Sequence, residues 1–197
     1  EFLYIVSSGG IKRYSLESFD YPSLLGSVLP SQTMLWVGEV LGFVYAQAGG
    51  ITIARVLRTD GSNLGIEVDL GRISGNVIDA TTVLSDDHVW FFLSIQDGPL
   101  RLNRCYMINQ YGKVLAQVEA LSNDGSWLST IHGKCAFGKQ LFAPTDDGIV
   151  RVEFDGASLG ITKIFSDTNK FVDEGSRLLF GRDGVYVVSS SRIWRLR

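Results

Sequence analysis

The sequence predicts an all-β protein, a β-propeller or a large part of one, with four-stranded antiparallel blades and about five visible repeats. The first observation is a strand pattern of an aliphatic residue, any residue, an arginine and further apolar residues, which recurs every 42 to 49 residues. Self-similarity at a period of about 40–50 residues in short strands is typical of propellers. The five arginines of this pattern are Arg13, Arg55, Arg104, Arg151 and Arg195.

A second observation is that each arginine strand follows another apolar strand across a tight turn. The preceding strands are rich in β-branched and aromatic residues, as strands generally are. The turns between the two strands carry glycine, aspartate or serine, which suit hairpin connections. The predicted preceding strands are 3–6, 43–46, 89–93, 140–143 and 185–188.

Further apolar stretches complete four strands in each period. The strands that follow the arginine strand are predicted at 64–70, 113–120 and 159–165, and those that open a period at 34–37, 77–84, 131–137 and 176–180. The chain therefore begins with the last three strands of one blade, continues through three complete blades and ends with the first three strands of another. We expect a ring of this kind to be closed by further chain or by a partner, because open blades would expose apolar surface.

The third observation is that the arginine strand is apolar on both faces, as in the segment Ile149-Val150-Arg151-Val152-Glu153-Phe154. A half-exposed strand would alternate apolar and polar residues, so this pattern predicts a sheet covered on both sides. Stacked blades provide that cover. The repeated arginine is then expected to hold the blades together by binding carbonyls or carboxylates while its methylenes pack. The alternative is a ring of arginines that lines a ligand channel.

The segment from Leu141 to Val152 carries the most recognisable repeat, a strand, an Asp-Gly turn and a Gly-Ile-x-Arg strand. It resembles the repeats of the YVTN and quinoprotein-like class of bacterial propellers, and the resemblance extends over nearly the whole chain. It implies the propeller fold and says little about activity. Trp-Asp and Gly-His dipeptides are absent from the sequence, so a standard WD40 propeller is not expected.

Length and composition indicate one folded domain over residues 1–197, or a fragment excised from a larger protein. A net charge of −3 gives no reason to expect nucleic acid or an anionic membrane as a partner. The sequence has no apolar run long enough to span a bilayer. Its two cysteines, Cys105 and Cys135, are predicted to be buried free thiols in strands, which favours a reducing cytoplasm. A disulfide between neighbouring blades is the alternative.

Catalytic and metal-binding patterns are weak in this sequence. His88 and His132 lack a second histidine or cysteine at metal-ligand spacing. The six Asp-Gly pairs lack the alternating acids of calcium loops. We therefore predict no catalytic residue, no cofactor and no metal, and lean against an enzyme.

Loops on a rigid scaffold are the usual place for function. The turns between second and third strands share one face with the connections between blades, and this face is predicted to recruit a protein partner. Its residues are Arg72, Asp97, Asp124, Trp127, Asp146, Asp147, Asp167 and Phe171. The prediction is a non-catalytic interaction or sensing module.

Two alternatives stay open at this point. One is a lectin-like propeller in which Trp36, Trp90 or Trp127 stacks on sugar rings. The other is part of a propeller enzyme with its site at the central channel.

Overall fold

The computed structural model describes twelve segments of the chain and shows an all-β protein. The described residues are 2–7, 10–18, 23–24, 33–48, 51–60, 65–85, 87–121, 135–137, 139–145, 148–166, 176–189 and 192–196. These segments form strands, turns and irregular connections. Within them, no helix is long and apolar enough to cross a membrane.

The strands form five sheets in the described part of the chain, and within each sheet every strand is hydrogen-bonded to the strands next to it in sequence. The first sheet contains β1 (Phe2–Ser7), β2 (Gly10–Ser15) and β3 (Ser23–Leu24). The second contains β4 (Thr33–Val37), β5 (Leu41–Ala48), β6 (Ile51–Arg58) and β7 (Ile66–Glu67). The third contains β8 (Asn76–Leu84), β9 (His88–Asp97), β10 (Leu100–Asn109) and β11 (Val114–Leu121).

Two more sheets follow. The fourth contains β12 (Cys135–Phe137), β13 (Gln140–Thr145), β14 (Gly148–Phe154) and β15 (Leu159–Ser166). The fifth contains β16 (Arg177–Gly181), β17 (Gly184–Val188) and β18 (Ile193–Arg195). The succession of three, four, four, four and three strands agrees with the division predicted from the sequence.

One strand is shorter than the sequence predicts. Of the described residues 65–70, Ile66–Glu67 belong to the ladder. The carboxylate of Asp69 accepts a hydrogen bond from the Gly71 amide at 2.8 Å, and a local turn of this type competes with strand pairing. In the stretch 131–137, Cys135–Phe137 is a strand and residues 131–134 lie outside the described residues.

The chain divides into two compact units. The first comprises Glu1–Gly71, Asp86–Val89 and Ile108–Val114, and the second comprises Arg72–Ser85, Trp90–Met107 and Leu115–Arg197. In the first unit, the first and second sheets pack face to face. Their shared core contains buried Ile11 from β2 and Val44, Ala46 and Leu57 from the second sheet.

In the second unit, the fourth sheet is covered on both faces. Leu141 and Ala143 of β13 pack towards the third sheet, whereas Phe142 between them packs towards the fifth. Successive side chains of a strand point to opposite faces, which explains this division. The first cluster includes Trp90, Phe92, Cys105 and Met107, and the second includes Ile149, Leu178, Val185 and Val187.

The reactivity of Cys105 tests directly whether the third sheet covers one face of the fourth sheet. Its side chain is fully buried in the cluster between the third and fourth sheets. In a Cys135→Ser variant, which leaves one thiol, we expect Cys105 to react with a water-soluble disulfide reagent at least about a hundredfold more slowly than the same variant in urea. Reaction at the same rate in native and unfolded protein would show that this face is open to solvent.

Candidate functional site

The five repeated arginines each have a carboxylate or carbonyl partner. Arg13 donates a hydrogen bond to the Thr59 carbonyl at 2.6 Å. The other four guanidinium groups pair with carboxylates. Arg104 pairs with Glu119, and the nitrogen–oxygen distance is 3.8 Å for Arg55 and Glu67, 3.4 Å for Arg151 and Glu153, and 2.9 Å for Arg195 and Asp183. The Arg13 contact joins the first sheet to the turn that follows the second sheet's β6. The Arg55 contact joins two register partners on neighbouring strands.

These arginines do not occupy equivalent positions, although their sequence pattern repeats. Arg13 and Arg151 come three residues after the first paired residue of their strands, whereas Arg55 comes four residues after it. Because side chains alternate, Arg13 and Arg151 share a face with residues packed on the following sheet. Arg55 shares a face with Val44, which packs on the preceding sheet.

Arg104 contacts three other residues. Its guanidinium pairs with the Glu119 carboxylate and donates to the Arg72 carbonyl at 3.2 Å and to the Tyr106 hydroxyl at 3.5 Å. Burial lowers the pKa of Arg104, but its hydrogen bonds to Tyr106 and Glu119 outweigh this, and the net pKa is raised. Burial also raises the pKa of Tyr106. Arg104 therefore remains a cation that fixes the backbone at Arg72.

The connection before β8 meets the end of β9 through Gly75, and we call the two segments 72–75 and 96–100 the loop edge. Gly75 has a φ of +86°, and a Cβ built on it would lie 2.5 Å from the Gln96 carbonyl oxygen. Only glycine permits this conformation and close approach together. Arg72 and Asp97 are both exposed, one in each segment of the loop edge.

Asp97 differs from the other described aspartates of Asp-Gly turns. Asp155 accepts hydrogen bonds from the Ser158 and Ala157 amides, which lower its pKa. Asp183 accepts from the Tyr186 hydroxyl, which lowers its pKa, and pairs with Arg195. Asp60 pairs with Arg58 at 3.1 Å. Among the described residues, the Asp97 carboxylate has no such partner.

The other predicted partner-binding residues are not placed. Asp124, Trp127, Asp146, Asp147, Asp167 and Phe171 lie outside the described residues. The same holds for His132. The loop edge is therefore built here from the segments around Arg72 and Asp97 alone.

The described residues offer little for catalysis or sugar stacking. Nδ1 of His88 lies 2.5 Å from the Asp87 carboxylate. In the described segments, no three histidine, cysteine or acidic side chains are grouped to hold a metal ion. Trp90 is fully buried, so it cannot stack on a sugar. Trp36 lies with its ring centroid 6.2 Å from that of Phe43.

Sequence reasoning missed a pocket in the second unit. It has a volume of about 510 Å³ and is lined by Phe165 of β15 and by Arg192, Ile193 and Trp194. Phe165 and Trp194 are 29 positions apart in the sequence, and nothing in either segment indicates that they meet.

The comparisons with known proteins leave the family open. No protein-family model and no curated protein matches this chain. A solved structure described as apo AztD from Citrobacter koseri is similar to this chain at 15% sequence identity, with a TM-score of 0.45. The match covers 99% of this chain and 59% of that protein, so the chain spans about three fifths of its length.

The Arg104 contacts predict a measurable contribution to stability. Arg104→Met retains the length of the side chain and removes the charge, leaving Glu119 and the Arg72 carbonyl without their donor. We expect the free energy of unfolding in urea to fall by about 1–3 kcal/mol. Arg182→Met, at an exposed turn arginine, is the matched control and should change stability by less than about 0.5 kcal/mol. Equal effects of the two substitutions would contradict a stabilising role for Arg104.

Proposed function

We propose that this chain is a non-catalytic protein-binding module whose five sheets are blades of a β-propeller, or of a large part of one. The blade assignment draws support from the face-to-face packing of consecutive sheets within each unit and from the regular order of strands in every sheet. In such a scaffold the strands are rigid, and the edges of the sheets present the variable loops.

The binding proposal rests on the exposure of the Asp97 and Arg72 side chains. Both are exposed, and neither side chain is used by the fold in the described part of the chain, whereas the aspartates of three other turns are held by local contacts. Exposed charges on a fixed backbone are suited to recognising a complementary partner. Arg104 fixes the backbone at Arg72 by donating a hydrogen bond to its carbonyl, and Gly75 fixes the adjoining backbone by packing on Gln96.

The partner surface that fits the loop edge best is basic. The sequence predicts four further aspartates on the same face, so the expected balance of charge there is acidic. A lysine- or arginine-rich segment of another protein would meet these carboxylates, and Arg72 would select against segments that place a cation beside it.

A charge-reversal experiment tests this function. The probe is a fluorescein-labelled lysine-rich decapeptide, and binding is followed by fluorescence anisotropy at low salt. We expect Asp97→Lys to weaken binding about threefold to tenfold and Arg72→Glu to strengthen it, since an exposed charge pair contributes a fraction of a kcal/mol to about 1 kcal/mol.

Glu17→Lys is the matched control, because Glu17 is an exposed acid in the turn after β2 and belongs to neither segment of the loop edge. It makes the same change in net charge and should leave binding nearly unaltered. Equal weakening by Asp97→Lys and Glu17→Lys would mean that the peptide responds to net charge alone, and the loop edge would then not be the binding surface.

A further inference from the structure

The β9–β10 turn places an aspartate directly before a glycine at an exposed site. Asp97 is the last residue of β9, and Gly98 and Pro99 connect it to Leu100, the first residue of β10. Gly98 has a φ of +58°, and apart from its chain neighbours no atom lies within 4 Å of the position that a Cβ would occupy on it. The backbone at the tip of this turn is therefore open to solvent and uncrowded.

An aspartate that precedes glycine carries both reactants of a backbone rearrangement, and glycine has no Cβ to hinder it. The glycine amide nitrogen attacks Cγ of the aspartate, the N–Cγ bond forms, and the carboxyl hydroxyl leaves with the amide proton as water. Water then opens the resulting succinimide ring. Cleavage of the N–Cγ bond restores aspartate, whereas cleavage between the nitrogen and the main-chain carbonyl carbon gives isoaspartate. One water is released and one is consumed, so no other reactant is needed.

Neither reactant of the Asp97–Gly98 pair is held by a contact. The Asp97 carboxylate is exposed and has no hydrogen-bond or ion-pair partner among the described residues. In the same part of the chain, the Gly98 amide donates no hydrogen bond. The Gln96 side-chain amide donates to the Gly98 carbonyl at 2.6 Å, but that oxygen takes no part in the reaction. The Asp97 carboxyl group can therefore rotate towards the Gly98 nitrogen without breaking a contact of its own.

The carboxylate of the Asp155–Gly156 pair is restrained. One of its oxygens accepts hydrogen bonds from the Ala157 and Ser158 amides, each at 2.8 Å, and the other accepts from the Ser158 hydroxyl at 3.0 Å. The hydrogen bonds from Ser158 and Ala157 lower the pKa of Asp155. They direct the carboxylate away from the Gly156 nitrogen and favour its ionised form, which lacks the hydroxyl that must leave.

Both residues of the Asp183–Gly184 pair are restrained. The Asp183 carboxylate accepts a hydrogen bond from the Tyr186 hydroxyl at 2.6 Å and lies 2.9 Å from the Arg195 guanidinium. Gly184 is the first residue of β17 and is the register partner of Gly181. Of the three Asp-Gly pairs that lie wholly within the described residues, Asp97–Gly98 is therefore the one whose carboxylate is left free.

We propose that Asp97 is a site of isoaspartate formation in the folded protein, and that the reaction favours it over Asp155 and Asp183. The modification routes the main chain through Cβ, which adds one atom to the backbone of the β9–β10 turn, and it converts the former main-chain carbonyl of Asp97 into a free carboxylate. The proposal concerns the chemistry of this turn and holds whether or not the loop edge binds a partner. A negative result at Asp97 would leave the charge-reversal test of binding unaffected.

Peptide mapping of the aged protein tests this proposal. The folded 197-residue chain is incubated for weeks at mildly acidic pH and digested with trypsin, which places the three aspartates in fragments 73–101, 152–163 and 183–192. The aspartyl and isoaspartyl forms of each fragment are separated by chromatography and distinguished by electron-based fragmentation in a mass spectrometer. Because the contacts of Asp155 and Asp183 must be broken before they react, we expect at least about tenfold more isoaspartate at Asp97 than at either.

Two controls separate the effect of the fold from that of the sequence. In guanidinium chloride, which unfolds the chain, the three pairs should react to within about threefold of one another. Asp97→Glu, whose longer side chain would have to form a six-membered ring, should remove the isomer from fragment 73–101, whereas Asp87→Glu, at an exposed aspartate of the same fragment, should retain it. Equal amounts at the three pairs in the folded chain, or none at Asp97 while the unfolded chain forms it, would overturn the proposal.

Discussion

A sheet that is apolar on both faces must be covered on both faces, and the organisation of this protein depends on that constraint. The fourth sheet shows it most clearly, because adjacent residues of β13 belong to separate cores. Each apolar side chain of average size stabilises the fold by about 1.5–3 kcal/mol when buried. Once neighbouring sheets are stacked in this way, the turns and connections between their strands remain available, and the loop edge is formed by two of them.

The repeated arginines show how a polar group fits into this packing. Each lies in or beside an apolar strand and meets a carboxylate or a backbone carbonyl, so its charge is not left without a partner. The pairing matters most for Arg55 and Arg104, whose side chains are largely covered, because a buried charge without a partner is costly. The partners differ because the arginines face different neighbours, with Arg13 reaching the next sheet and Arg55 pairing within its own sheet. Every repeat therefore has an arginine at this place in the sequence pattern, but the direction of the arginine side chain and its partner differ between repeats.

Most of the strands could be predicted from the sequence, because β-branched and aromatic runs separated by Gly and Asp turns are strong local signals. The double cover of the fourth sheet also followed from residues 149–154 alone. The orientation of the arginines could not be predicted, since it depends on how many residues pass between the turn and Arg55 or Arg151. The pocket could not be predicted either, because Phe165 and Trp194 belong to different sheets and meet only through tertiary packing.

The most direct test of the account is the effect of two adjacent alanine substitutions in β13 on the free energy of unfolding in urea. Leu141 and Phe142 are both buried and face opposite neighbours. Double cover predicts that Leu141→Ala and Phe142→Ala each lower stability by about 2–5 kcal/mol, whereas Leu179→Ala, at a residue that is 54% exposed, costs less than about 1 kcal/mol. If one of the two β13 substitutions were as mild as Leu179→Ala, that face of the sheet would be open to solvent and the stacked arrangement would be wrong.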